Sequence, residues 1–198
     1  MSRSAARSRT TKETAIEVRV DLDGSGVADV ATGVPFFDHM LDQLARHGSF
    51  DLTVRATGDL VVDTHHTIED TGILLGAVFA EAWGDRAGVR RFASVRVPLD
   101  EAVADVVLDL SGRPFLHWEV EFPAHPVIEG SPPFDAQLAE EFFRAFATSA
   151  AITLHVTRER GHNTHHIVES IFKGVARALR DAVRIEGGEV PSTKGVLA

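Results

Sequence analysis

The sequence predicts an α+β fold in which one β-sheet/helix unit is used twice. The helices pack on one face of each sheet, and the copies are related by a pseudo-twofold axis. Three observations carry this. Short segments of alternating apolar and polar residues precede longer helical patterns, in the same order in both parts of the chain. A shift of 100 in numbering lays Leu52-Thr53-Val54 on Ile152-Thr153-Leu154, and Thr64-His65-His66-x-x-Glu69 on Thr164-His165-His166-x-x-Glu169. A length of 198 residues suffices for two fused halves with a real core, whereas two copies are too few for a solenoid.

Residues 1–12 are polar, with Arg3, Arg7, Arg9 and Lys12, no acid and no apolar run, so a disordered start is expected rather than a secretory signal. The first half then covers residues 13–90. Ile16, Val18 and Val20 alternate as a strand, Asp23-Gly24-Ser25-Gly26 reads as a hairpin turn, and Val27 to Thr32 as the returning strand. Pro35 suits a first helical turn, so Phe36 to His47 is predicted helical, ending at Gly48. Leu52 to Ala56 and Leu60 to Val62 read as strands. Asp63 and Thr64 can cap a helix from His65 to Trp83, closed by Gly84. The second half covers residues 91–186, with strands over Ser94–Leu99, Ala102–Leu110 and Phe115–Phe122. A helix over Phe134–Ala150, a strand around Leu154 and a helix over His165–Ile185 follow. Ile167, Ile171, Val175 and Leu179 give that last helix one apolar face. Residues 187–198 form a tail.

The composition excludes several classes. A formal net charge of −9 without a basic block disfavours nucleic acid, whose phosphates need Lys and Arg. No cysteine means no disulfide, thiolate metal site or thiol chemistry, and fits a cytoplasmic protein. The longest apolar run, Ile73 to Ala80, is too short to span a bilayer, so no membrane partner is expected. Ten histidines are the unusual count.

Four of those histidines sit in the duplicated motif. On a helix, Glu69 lies four residues from His65, so the two share a face and can chelate one ion. His66 is rotated by about 100° and points to a different one. The same holds for His165, Glu169 and His166. Two such helix ends related by a twofold can exchange partners: His65 and Glu69 with His166, His165 and Glu169 with His66. Whether they meet in one chain or between chains is open. Imidazoles with a carboxylate suit Mn, Fe, Ni or Zn, and more than four ligands favours the first three. A single such pair would read as decoration of a helix end; its recurrence makes metal binding the better reading.

Further stretches carry a resemblance. They are Arg9-Thr10-Thr11-Lys12-Glu13-Thr14, Phe36-Phe37-Asp38-His39-Met40-Leu41, His47-Gly48, Arg90-Arg91-Phe92, Pro98-Leu99-Asp100-Glu101-Ala102, Asp109-Leu110-Ser111-Gly112-Arg113-Pro114 and Pro191-Ser192-Thr193-Lys194-Gly195-Val196-Leu197. With the two motifs, they make the chain resemble the monofunctional imidazoleglycerol-phosphate dehydratases of histidine biosynthesis from Arg9 to Leu197. The resemblance implies halves of a fold also found in ribosomal proteins. It implies loss of water from D-erythro-imidazole glycerol phosphate to give imidazole acetol phosphate. It also implies two Mn²⁺ ions per active site, a homo-oligomer of twenty-four subunits, and active sites between subunits.

The resemblance adds His39 to His66, His165 and Glu169, and His155 to His65, Glu69 and His166. Alone, His39 would read as a helix-face residue and His155 as the outer face of a strand. Glu13 is implied as catalytic acid/base near the substrate, with Glu169 as a second catalytic candidate besides its role as ligand. Gln43 and His47 follow His39 by one and two turns and suit substrate hydroxyls. Arg91, Arg113, Ser192, Thr193 and Lys194, with Lys173 as a further candidate, are implied for the small phosphate substrate, making the tail a phosphate-binding flap. His117, His125 and His162 stay unassigned. The chemistry is consistent: no carbonyl acidifies the proton to be lost, so the ring must take the electrons, and a metal on each ring nitrogen would stabilise an imidazolate. Two rivals remain. Another dimetal His/Glu enzyme such as a hydrolase would turn over esters or amides. A non-catalytic module would bind nucleic acid.

Overall fold

Strands and helices alternate as expected, and the two halves repeat one order. In the computed structural model, which describes residues 3–124 and 126–197, the first half is β1 (Ser4–Thr10), β2 (Thr14–Asp21), β3 (Ala28–Ala31), α1 (Pro35–Gly48), β4 (Asp51–Gly58) and α2 (His65–Trp83). The second is β5 (Phe92–Leu99), β6 (Ala102–Asp109), β7 (Phe115–Glu119), a β8–β9 ladder (Val127–Ile128 with Phe134–Asp135), α3 (Gln137–Ala150), β10 (Thr153–Arg160) and α4 (Thr164–Ala182). His125, Met1, Ser2 and Ala198 lie outside the described residues.

The sheets have the same topology. The orders β1-β2-β4-β3 and β5-β6-β10-β7 each combine two antiparallel pairs with one parallel edge. The register relates them row by row. Val20, Leu52 and Ala28 are neighbours in one sheet; Leu108, Leu154 and Leu116 are neighbours in the other. β4 thus superposes on β10 with a shift of 102, and the left-handed C-caps Ser49 and Ala151 agree. The shift of 100 belongs to the motif helices alone, because the loop before α2 is two residues longer. The expected alignment of Leu52 on Ile152 is corrected accordingly.

Both helical pairs lie on the inner faces of their sheets, and the halves meet through α1 against α4 and α2 against α3. The α2–α3 crossing is close because Gly76 has no side chain: a Cβ there would stand 2.4 Å from the Phe146 carbonyl oxygen. Phenylalanines fill the seam, with Phe37 edge-on to Phe142 at 5.3 Å and Phe142 stacked on Phe172 at 5.3 Å. Phe37, Phe142 and Phe172 are fully buried, and truncating such a side chain costs roughly 3–5 kcal/mol.

Several local expectations are revised. The disordered start is instead β1, paired with β2 along its length and pinned by ion pairs Arg7–Glu81 and Arg9–Asp70. An edge strand needs a backbone partner more than an apolar face, so a polar sequence serves. The segment after Asp23-Gly24-Ser25-Gly26 does not return along β2. Asp51 Oδ1 accepts the N–H groups of Ser25, Gly26 and Val27, so the chain crosses to the far side of β4. Leu60–Val62 is a turn closed by Val62 N–H to the Asp59 carbonyl (2.8 Å), with Val61 and Val62 exposed. Residues 134–136 precede α3 rather than opening it, β7 ends at Glu119, and α4 ends at Ala182. Asn163 caps α4 by accepting from His166 N–H; on α2 Thr64 does not cap, and Asp63 accepts from His65 N–H instead.

Candidate active site

Two helical stripes build the centre of the site. Asp38 accepts from the N–H and hydroxyl of Thr32 (2.8 and 2.5 Å), which fixes the start of α1. From there His39, Gln43 and His47 line one face at fourfold spacing. On α4, His165, Glu169, Lys173 and Arg177 do the same. Where the helices pack, Glu169 Oε2 lies 2.9 Å from His165 Nε2 and 3.4 Å from His39 Nε2, and Lys173 Nζ lies 2.6 Å from Oε1. Burial pushes the Glu169 carboxyl up, but the Lys173 hydrogen bond and charge, then His165, hold it below its ordinary value. It is therefore a carboxylate with a free lone pair toward the histidines. His39, His165 and Glu169 have donor atoms within 4.8 Å of one another and form a group that can hold a metal ion. Two imidazoles and a carboxylate without thiolate fit Mn, Fe, Ni or Zn. Further along α1, His47 Nε2 lies 3.2 Å from Gln43 Oε1. Burial, then the charges of Lys173 and Arg177, lower the His47 pKa and keep the ring neutral at pH 7.

The other motif end is more open. His65 Nε2 is 3.6 Å from Glu69 Oε2, and the described residues supply no third donor there. The adjacent histidines turn away from their neighbours, with ring planes at 77° for His65 and His66 and 82° for His165 and His166. His66 Nδ1 lies 3.0 and 3.2 Å from the Asp59 carboxylate, and His166 Nδ1 lies 2.7 Å from Glu101 Oε2. A carboxylate only accepts, so Nδ1 carries the hydrogen, and in the neutral ring the lone pair is on Nε2. The Asp59 hydrogen bond, aided by Glu13, raises the His66 pKa. The His166 bond, then the N–H groups of Asn163 and His162, lower Glu101 to about 2. Glu13 Oε2 stands 3.9 Å from His66 Nδ1. His155, on β10, lies beside His117 and Phe115, with ring centroids 5.2 and 5.7 Å away. One chain thus brings His39, His165 and Glu169 together, while His66, His155 and His166 have other neighbours.

The tail forms a separate cavity of about 670 Å³ with Arg91, Arg113, Pro191, Ser192, Thr193 and Lys194 among its lining residues. Arg91 spends its fork on Asp109 (2.7 and 3.1 Å) and donates to the Pro191 carbonyl (2.7 Å), so it fixes the tail as well as charging the cavity. Arg113 is largely exposed and reaches the same Asp109 only at 3.9 Å. Three cations against one carboxylate leave an excess of positive charge, which suits a phosphate dianion. Lys173, a further phosphate candidate by sequence, does not line this cavity and sits against Glu169 instead.

The model of the imidazoleglycerol-phosphate dehydratase family matches residues 32–179. A relative of that name from Gluconacetobacter diazotrophicus is 55% identical over 199 residues, covering 99% of this chain and 98% of its own. One from Rhodopseudomonas palustris is 57% identical over 198 residues, covering 98% of each. The chain belongs to the imidazoleglycerol-phosphate dehydratase family. It is a hydro-lyase of histidine biosynthesis. The crystal structure of the Staphylococcus aureus family member superposes with a TM-score of 0.81 at 35% identity, over 92% of this chain and 99% of that one. The Pyrococcus furiosus member gives 0.80 at 36% identity, over 96% and 100%. Among the described residues, no helix is long and apolar enough to cross a membrane.

Within the family frame, sequence reasoning left Asp59, Glu101 and Asp109 without roles. Glu101 and Asp109 stand inside stretches that carry the family resemblance, which was the available signal. Asp59 stands in a turn that reads as ordinary surface. Only the fold shows that each carboxylate meets a side chain of the candidate site.

Proposed function

We propose that the chain removes water from imidazole glycerol phosphate to give imidazole acetol phosphate, using two Mn²⁺ ions, in a cytoplasmic homo-oligomer of twenty-four subunits. The observation that carries the reading is the three-donor group His39, His165 and Glu169, set apart from a cationic cavity of the right sign for phosphate. His66 Nε2 would complete that group. His65, Glu69, His155 and His166 would form the second. Their separation within one chain supports completion by neighbouring subunits. The chemistry such ions supply is Lewis acidity toward the substrate's ring nitrogens.

The chain's own residues do the rest. Arg91, Arg113 and Lys194, with the hydroxyls of Ser192 and Thr193, hold the phosphate and so fix the distance to the reacting carbons. Neutral His47 and Gln43 can bond the substrate hydroxyls. Glu13, exposed and without a short contact to its carboxylate, takes the proton from the second carbon out from the ring, the one whose oxygen becomes the ketone. The hydroxyl on the carbon next to the ring leaves as water once protonated, and the resulting enol, which keeps the second carbon's oxygen, tautomerises to the ketone. The test is turnover of imidazole glycerol phosphate by chelated protein before and after Mn²⁺ is restored. Activity that returns with about two Mn²⁺ per subunit is expected. No turnover by assembled, metal-loaded protein overturns the reading, and hydrolysis of esters instead would favour a dimetal hydrolase.

A further inference from the structure

The duplication makes a comparison within one chain possible. With the sheets superposed by register, β2 falls on β6 with a shift of 88, so Glu13, just before β2, coincides with Glu101, just before β6. The motif helices bring His66 onto His166. The two glutamates therefore began as equivalents facing equivalent histidines, yet they are used differently. Glu101 is saturated: Oε2 accepts from His166 Nδ1 at 2.7 Å, and Oε1 accepts from the N–H groups of His162 and Asn163 at 3.0 and 2.8 Å. Glu13 stands 3.9 Å from His66 Nδ1, beyond hydrogen-bond reach, with its side chain 55% exposed. The place of a partner for His66 is taken by Asp59. Asp59 comes from the longer loop: six residues separate Gly58 from His65, and four separate Arg160 from His165.

We infer that Asp59 and Glu101 are positioning residues, one per half, which hold His66 and His166 by Nδ1 and aim each Nε2 as a metal donor. By taking His66, Asp59 frees Glu13 for the substrate. Without Asp59, Glu13 has only to close about 1 Å to bond His66, so it is the built-in substitute, at the expense of its own chemistry. Among the described residues His166 has no such substitute, since the other carboxylate near it, Asp100, lies at 3.8 Å from Nε2, the donor atom itself. Partners of this kind change metal affinity by about 10–100-fold.

The inference rests on His66 and His166 being metal ligands, and its test reads metal directly. Mn²⁺ bound per subunit is titrated against buffered free Mn²⁺ in the full-length assembled protein and in single and double variants. Glu13→Ala is expected to leave Mn²⁺ affinity within about twofold while kcat collapses. Asp59→Ala should weaken one site by about tenfold, and adding Glu13→Ala on that background should cost about another tenfold, a coupling absent when Asp59 is present. Glu101→Ala should weaken its site by about 100-fold at once. Asp59→Asn, whose amide oxygen still accepts from Nδ1, should lie between wild type and Asp59→Ala, and serves if the alanine variant folds poorly. Wild-type affinity in both Asp59→Ala and Glu101→Ala overturns the inference, as does a Glu13→Ala effect independent of Asp59. An unaltered protein that takes up no Mn²⁺ overturns the ligand reading itself, which keeps the two failures apart.

Discussion

The two ends of the duplicated motif share a sequence but not a setting. At the second-half end, Glu169 is 11% exposed, gripped by His165 and Lys173 and faced by His39. At the first-half end, Glu69 is 43% exposed and, among the described residues, is paired with His65 alone, at a looser 3.6 Å. The reason lies one helix away. α1 brings His39 over α4, but its counterpart on α3, shifted by 102, is Glu141, which ion-pairs with Arg144 at 3.7 Å and offers α2 no imidazole. Duplication copied the His-His-x-x-Glu side chains, and the helix laid across each copy decided whether a third possible donor stands beside them.

The strongest way to break this comparison is to remove each carboxylate. Glu169→Ala and Glu69→Ala should both lower kcat/KM by more than roughly 100-fold, since each deletes a ligand rather than a ligand's support. Only Glu169→Ala should also destabilise chelated protein, by about 1–3 kcal/mol, because it strands the half-buried Lys173. Equal unfolding midpoints for the two variants under chelation would show that the second-half end is no better built than the first. Truncation after Val190 comes next. It should leave Mn²⁺ content unchanged and lower kcat/KM by about 100-fold, since the phosphate anchor is lost while the ligand groups are not. Loss of metal on truncation would join two regions that the structure keeps separate.

The smallest expected effect is on acid stability. Glu101 is lowered from 4.5 to about 2 in the folded chain, so the stability it contributes is full above about pH 4.5 and is lost as pH falls toward 2. Glu13 has no matching bond. In metal-free protein, acid unfolding curves of wild type and Glu101→Gln should therefore converge as pH falls through that window. Parallel curves for Glu101→Gln and wild type at every pH would remove the asymmetry.

Much of this architecture is readable in the residues. The motif helices and the duplication follow from period and repetition; His65 to Trp83 is the helix predicted, while α4 begins at Thr164, one residue before the expected His165. The misreadings share a cause: each concerns a segment whose place is set by a distant side chain. Val27 to Ala31 looks like the second arm of a hairpin until Asp51 gathers the turn's amides. Ser4 to Thr10 looks unfit for order until β2 supplies its hydrogen bonds and Asp70 and Glu81 take its arginines. The site divides likewise. His165 and Glu169 are four residues apart on one helix and visible as a pair, and His39 reaches them only through the packing of α1 on α4. The carboxylates hydrogen-bonded to His66 and His166 stand seven and sixty-five residues away, where no spacing rule looks.

The link between the halves and the start of the tail form one ribbon. Gly88 bonds Glu189 and Glu186, Val89 bridges Ile185, and Arg90 and Arg91 bond Arg184 and Ala182. The ribbon is tight enough that a Cβ on Gly88 would stand 2.1 Å from the Gly187 carbonyl oxygen. The segment that carries Ser192 and Lys194 is thus sewn to the joint of the duplication rather than to either sheet. Anyone recombining halves from different relatives would cut through that joint. Such a chimera can keep every His, Glu, Arg and Lys named above and still misplace the tail, unless residues 84–91 and 182–191 are inherited together.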